Sequence, residues 1–501
     1  MKVALNLPRL RWRREPQSLV AHCMIVLLSA IAAAQILKSP LTTTAEVPKV
    51  VLNERQQVKA TAPARAKHRQ SQEQQVRPEN YDLQRYPVTS EHEAHWRNLL
   101  WTTTVVQPQE SFVVAALDQI LAMMTRSGLS ESQMRTIDSA TKVGTQLYLS
   151  QPERYARLGD RFADAIQRSP DPEWVAVSLA GLAAAGLPPA QQQALVATVQ
   201  QRFPDWAGNA FLQTTIRDRI EALASRPTPP LRDLLKWSIA PNQLHLYVLC
   251  QPDRHVLCRT VLKDRTGKFV RTPAGELWSI PLLLRSIHNL SWNFVRGHTP
   301  QGIYRIEGVV PQPDDEYFRA YGQFPLVNLY LPFEPGAREF LPGRPGRFNG
   351  SLAAYQALLP SSWRSHWPIQ QSYWAGKLGR SEFRIHGTGD APDFFSGKES
   401  NPDSFNWNPS LGCLSAIELY NEKGQVIEAD MPKLLQSLTA IAGQAFTGYL
   451  VVAEVPSEPT GEPIALPQIE AAIAGEPLAQ SPPLPKTPLA KAPLSRLPIA
   501  Y

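Results

Sequence analysis

Apolar and polar positions follow three different rhythms along the chain, and each predicts a different kind of structure. The first is an apolar run from Leu19 to Leu37, broken by His22, Ser29 and Gln35 alone. At about 1.5 Å per residue in a helix it is long enough to cross a hydrocarbon core. The second rhythm fills residues 90–225 and has helical spacing, as in Phe112, Val113, Ala116, Leu117, Ile120 and Leu121, or in Trp174, Val177, Leu179 and Leu182. Stop and start signals punctuate it. Ser130 to Gln133 has capping-box form, Asp171-Pro172 offers an N-cap followed by proline at the first helical position, and Gly186-Leu187-Pro188 closes one helix before the next. An all-α domain of roughly six or seven short helices is predicted, packed as a bundle or an irregular solenoid.

The third rhythm begins after Arg226-Pro227-Thr228-Pro229-Pro230, where helical spacing gives way to short β-rich runs. Leu244–Leu249, Val256–Leu262, Ile303–Ile306, Leu326–Leu331, Phe383–Ile385 and Tyr449–Val455 are predicted strands. Helices are expected around Leu352–Leu359, Ser415–Asn421 and Met431–Ala445. The prediction is therefore a multi-domain chain: a basic segment (1–18), an apolar membrane helix (19–37), a flexible linker (38–89), the helical domain (90–225), a short linker (226–239), a mainly-β domain (240–455) and a Pro-rich tail (456–501). The linker and tail assignments rest on composition. Both are rich in Pro and polar residues and hold too few large apolar side chains to offset chain entropy.

Charge adds direction. Lys2, Arg9, Arg11, Arg13 and Arg14 precede the apolar run, which puts the N-terminus in the cytoplasm and the rest of the chain outside it. A retained anchor gives an inner-membrane, single-pass protein with its C-terminal domains in the periplasm. Ala32-Ala33-Ala34 keeps open a cleaved signal peptide and export to the wall. The net charge of +7 would suit nucleic acid, anionic membrane or an acidic polymer, but much of the basic excess lies in the two ends. Export and the lack of a basic stripe with interleaved aromatics argue against nucleic acid. The helical domain carries no cluster of ionisable residues, so it is expected to act as a spacer or to dock envelope proteins.

Of the four cysteines, Cys23 lies in the apolar run. Cys250 and Cys258 fall on one predicted hairpin and could pair in an oxidising compartment, although spacing alone does not establish it. A zinc site from these two with His245 and His255 is disfavoured, because the spacing matches no usual ligand pattern. If Cys250 and Cys258 pair, Cys413 is the lone exported thiol.

Two segments carry candidate chemistry. Phe383-Arg384-Ile385-His386-Gly387-Thr388-Gly389 delivers a histidine into a Gly-containing turn, and Pro409-Ser410-Leu411-Gly412-Cys413-Leu414-Ser415 sets a cysteine after a glycine and before an expected helix. A thiol beside an imidazole and at a helix N-terminus becomes a nucleophile. His386 would take its proton, with its second ring nitrogen oriented by a main-chain carbonyl. The N–H groups of Gly412 and Cys413 would face an oxyanion. Trp363, Trp367, Tyr373, Trp374 and Trp407 are expected to be core or rim residues, with stacking on sugar rings as the alternative.

These segments resemble the catalytic domain of L,D-transpeptidases of the YkuD type. Ile385-His386-Gly387-Thr388 and Ser410-Leu411-Gly412-Cys413-Leu414 follow the family's histidine turn and cysteine segment, and Thr299-Pro300-Gln301-Gly302-Ile303-Tyr304-Arg305-Ile306 follows a third element on an earlier strand. The resemblance spans about residues 240–455. It implies a β-sandwich-like fold, no metal or other cofactor, and peptidoglycan stem peptides as substrate. Cys413 would form a thioester, release D-alanine and pass the acyl group to an amine, or to water in a carboxypeptidase. Gly387, Thr388, Ser410, Arg384 and Ser415 are the implied substrate contacts. The chain departs from the pattern in three ways: His386 and Cys413 are 27 positions apart (413 − 386), a longer interval than usual; Leu411 stands where many members have a second histidine; and Ser415 stands where many have an arginine. Arg384 or Lys398 would then hold the substrate carboxylate. A catalytically silent wall-binding scaffold is the other reading these departures leave open.

Overall fold

The computed structural model describes residues 61–224, 226–311, 322–387, 407–455 and 461–475. Eight α-helices among them, from Ala62–Glu73 to Ala210–Ala224, form the first half. The local signals act as their chemistry dictates. Ser130 accepts from Gln133 N while the Gln133 side chain returns to Ser130 N, and Asp171 caps the helix Pro172–Ala184 by accepting from Glu173 and Trp174 N. Their apolar faces meet in one core around Trp96, Leu117, Ile137, Phe162 and Leu179.

The second half is one mixed sheet of eight strands in the order β3-β2-β1-β10-β4-β5-β6-β7. The strands are β1 (Leu244–Cys250), β2 (Cys258–Lys263), β3 (Ser279–Leu282), β4 (Gly302–Val310), β5 (Leu326–Tyr330), β6 (Arg384–Gly387), β7 (Leu414–Ala416) and β10 (Thr447–Glu454). A separate pair, β8 (Glu418–Tyr420) and β9 (Val426–Ala429), follows β7. The ends of the long sheet meet. Leu283, just past β3, exchanges both main-chain hydrogen bonds with Ser415 of β7, each 2.9 Å. All eight strands contribute to one apolar face, including Leu246, Ile280, Leu329, Ile385 and Leu414. On the opposite face Tyr247, Leu249 and Tyr449 pack with Leu234, Tyr355, Trp363 and Ile469 from helical segments.

This corrects the predicted fold class. The β half is a nearly closed barrel-like sheet covered by helices, not a sandwich of two sheets. Alternation fixes which side of a strand each residue faces but not which strands become neighbours, and bringing β3 to β7 satisfies edge groups that a sandwich would leave open. The membrane helix is not part of the described fold either. No helix among the described residues is long and apolar enough to cross a membrane, and residues 19–37 lie outside them.

Three further expectations fail. Residues 61–89 of the expected tether are folded: Ala62–Glu73 is helical, and Tyr81 is buried with its hydroxyl 2.8 Å from Thr103 Oγ1. The linker 226–239 holds the helix Leu231–Lys236, with Leu231, Leu234 and Leu235 buried, and the tail holds Leu466–Ala474, whose Ile469 and Ala472 are buried. In the linker and the tail a few apolar residues at helical spacing, too sparse to stand out by composition, join the core on the helix-covered face of the sheet; in 61–89 the buried apolar residues are Tyr81 and Val88, outside the helix. The third failure is the expected helix Ser415–Asn421, which is β7 and β8. Its first part, β7, pairs with β6 and through Ser415 with Leu283, which closes the long sheet.

The two halves are locked together by the segment between β3 and β4. Leu290 and Phe294 enter the helical core, and Asp218 on Ala210–Ala224 accepts from the indoles of Trp292 and Trp367.

Candidate functional site

Strands β6 and β7 run parallel and adjacent, with Ile385 level with Leu414 and His386 level with Ser415. Ile385 and Leu414 share the inner core, so His386 and Ser415 face the other side, and Cys413, one residue before β7, lies diagonally across from His386. The cysteine segment is brought here by its turn. Gly412 has φ of 123°, a conformation that favours glycine, and Ser410 ties the turn shut by accepting from Gly412 N at 3.1 Å and donating to Cys413 O at 2.6 Å. Thr299 adds a bond to Gly412 O at 2.9 Å.

His386 is buried, and its Nδ1 lies 2.6 Å from Gly387 O. That carbonyl can only accept, so Nδ1 carries the proton and Nε2 is the basic nitrogen. Burial pulls His386 down to about 4, which keeps it neutral at pH 7. Cys413 is half-buried, and its thiol donates to Glu382 O at 3.6 Å. Desolvation pushes it up to about 11, opposed by the Arg384 main chain and by the charges of Arg384 and Arg380. The resting pair is thus a neutral thiol and a neutral imidazole. The expected helix dipole behind Cys413 is absent, because a strand follows it.

The remaining expected site residues divide. The Gly412 N–H is engaged by Ser410, which leaves Cys413 N–H as the nearer oxyanion donor; Ser410 is a clamp for the turn. Ser415 is fully buried, its hydroxyl unpartnered among the described residues, so it cannot present itself to a substrate carboxylate. Arg384 is partly exposed and donates to Phe383 O at 2.7 Å. Gly387 is required by packing: a Cβ there would overlap Glu418 Oε2, and Gly322 approaches the same carboxyl from another direction. Thr388, Lys398 and most of the interval between His386 and Cys413 lie outside the described residues. Trp363, Trp367, Tyr373 and Trp407 are buried and serve the core. Cys250 and Cys258 form a disulfide, which removes both as metal-binding thiolates.

Three residues near the site escaped the sequence reading. Glu418 is a fully buried carboxyl that accepts from Gln323 N at 2.7 Å and from Tyr420; burial raises it to about 8. A single charge inside the apolar run Leu414–Tyr420 was a signal for it, masked by the helical assignment. Glu334 accepts from Leu331 N at 2.8 Å and Glu382 N at 2.7 Å, and so holds Glu382 at φ 65°, with its carbonyl at the thiol. Arg380 lies behind Gly412; in Leu378-Gly379-Arg380-Ser381 nothing distinguishes it from a surface loop residue.

A cavity of about 920 Å³ between the helical half and the sheet, lined by Asp218, Arg219, Arg254, His255, Trp292 and Trp367 among others, contains neither Cys413 nor His386. No group of three or more His, Cys, Asp or Glu among the described residues has the geometry of a metal site.

No protein-family model, curated protein or solved structure matches this chain.

Proposed function

We propose that the protein is a cysteine-dependent acyltransferase of the L,D-transpeptidase kind, acting outside the cytoplasm on peptidoglycan stem tetrapeptides. The observation that carries this reading is the diagonal placement of Cys413 and His386 on one face of adjacent strands, with the Nδ1 proton fixed on Gly387 O so that Nε2 is the basic nitrogen. The Cys250–Cys258 disulfide supports an oxidising compartment.

In this reading a rotation about χ1 takes the thiol from Glu382 O to His386 Nε2. The proton passes to the imidazole as the thiolate adds to the carbonyl of the third stem residue, and Cys413 N–H meets the oxyanion. The C–N bond then breaks, the imidazolium protonates the departing D-alanine amine, and a thioester remains. An acceptor amine repeats the sequence in reverse, its proton going to His386 and the thiol being regenerated. Water in its place gives a carboxypeptidase. Arg384 is the cation that supports holding the donor carboxylate. The high resting thiol pKa favours the second reading, a wall-binding scaffold without turnover.

The test is release of D-alanine from tetrapeptide muropeptides, followed by mass spectrometry, for wild type, Cys413→Ala and His386→Ala. Release by wild type and loss of at least about 10³-fold in either variant is expected. Release that survives Cys413→Ala overturns the nucleophile, and none from folded wild type favours the scaffold.

A further inference from the structure

Behind the Gly412-Cys413 turn sits a cation with no anionic partner among the described residues. The Arg380 guanidinium is buried, about 5% exposed, and spends its hydrogen bonds on main-chain carbonyls: Trp292 O, His298 O at 2.7 Å and Gly297 O at 2.9 Å. Its Cζ lies over the Phe383 ring, 4.8 Å from the centroid. Among the described residues no carboxylate forms an ion pair with it, although Arg254, Arg271 and Arg338 each have one. A buried charge without a counter-charge is expensive to keep.

Where a carboxylate would be expected, the guanidinium lies against the turn that carries Cys413. Arg380 Nη2 lies 2.5 Å from the point a Cβ on Gly412 would occupy, so the guanidinium touches the turn that carries Cys413. The ionisable groups that act on Arg380 are Cys413 and Tyr304, and the Tyr304 hydroxyl is committed to Pro300 O at 2.6 Å. Around the thiol the charged groups are Arg384 and Glu382 on the β6 side and Arg380 beneath, with the neutral His386 diagonally across on the adjacent strand. Arg384 and Glu382 reach solvent, and water screens them. Arg380 does not.

We propose that Arg380 is the built-in counter-charge of Cys413, a positioning residue that holds the glycine turn and lowers the cost of the thiolate when the proton leaves for His386. The proposal rests on Cys413 being the nucleophile, but it requires no particular substrate. The carbonyls that grip the guanidinium fix it in place, so its field is already oriented when negative charge appears on sulfur. In the resting enzyme it offsets part of the desolvation that keeps the thiol protonated. Glycine at 412 is then needed twice, for its φ and because any side chain would displace the cation.

Alkylation of Cys413 reads the thiolate directly and separates this proposal from the choice of substrate. Rates with iodoacetamide are measured from pH 6 to 10 for wild type, Arg380→Gln and Arg380→Lys, with circular dichroism to verify folding. Arg380→Gln is expected to move the rate profile to higher pH and slow alkylation at neutral pH by about tenfold or more, and Arg380→Lys to restore most of the loss. An unchanged profile in folded Arg380→Gln, or an equal shift in Arg380→Lys, overturns the proposal. If Arg380→Gln does not fold, the ratio of iodoacetate to iodoacetamide rates serves in its place. A fixed cation makes this ratio about tenfold higher than for free cysteine, in wild type and in Arg384→Gln alike. A ratio equal to that of free cysteine, or one abolished by Arg384→Gln, also overturns it. Normal alkylation behaviour together with absent D-alanine release would sink the substrate assignment and leave Arg380 intact.

Discussion

Gly387→Ala tests whether the glycine after His386 is there for packing. The added methyl would overlap Glu418 Oε2 and come within 2.8 Å of its Cδ and 3.3 Å of its Cβ. The carboxyl cannot swing into solvent, because it is fully buried and held by Gln323 N and Tyr420. If it moves, two buried hydrogen bonds are lost at about 1 kcal/mol each. If β6 moves instead, overpacking costs about 1–3 kcal/mol. The restricted unfolded chain returns roughly 0.5–1 kcal/mol, because φ at 387 is not in the left-handed region. A net loss of about 1–1.5 kcal/mol is expected. Urea unfolding followed by tryptophan fluorescence measures it, in wild-type and Glu418→Ala backgrounds. Without the carboxylate the methyl has room, so the second loss should be smaller by about 1–2 kcal/mol. A cost below about 0.5 kcal/mol, or equal costs in both backgrounds, refutes the packing argument.

Other outcomes follow from the same structure. Glu418 rises from its ordinary 4.5 to about 8 on folding, so its contribution is fully present below about pH 4.5 and is lost as pH climbs through 8; Glu418→Gln should lose less stability between pH 5 and 8.5 than wild type in the same urea titrations. The Cys250–Cys258 disulfide closes a short loop with sequence separation 8, and Cys250→Ser/Cys258→Ser should cost roughly 2.5 kcal/mol, read as a lower melting temperature that no longer responds to reductant. Asp218→Ala strips the acceptor from the Trp292 and Trp367 indoles at the junction of the two halves. It should cost about 2–5 kcal/mol, and limited proteolysis should then cut between the halves sooner.

Local chemistry was legible in the sequence wherever its cause was local. The capping box at Ser130, the N-cap at Asp171 and the strands around Leu244–Leu249, Leu326–Leu331 and Tyr449–Val455 need only neighbours along the chain to form. The histidine turn and the Gly-Cys pair were visible for the same reason, since φ at Gly412 and the Nδ1 bond to Gly387 O are short-range geometry. Composition misled where a few apolar residues sufficed, at Tyr81, Leu234 and Ile469. Periodicity misled at Ser415–Asn421, where a run too short to show its period was assigned to a helix.

Tertiary structure decided the rest because it concerns groups far apart in the chain. Closing β3 on β7 turns a row of strands into a nearly complete ring with Ser415 buried in it, and Glu418 is buried against Gly387, Gly322 and Gln323, which are distant in the chain. The tertiary fold sets Glu418 against Gly387, Glu334 against Glu382 and Arg380 against Gly412, and so fixes the electrostatics around Cys413. Sequence supplied the thiol and the imidazole; their protonation at rest depends on burial and on charges that the fold gathers from elsewhere, and no pattern along the chain encodes those distances.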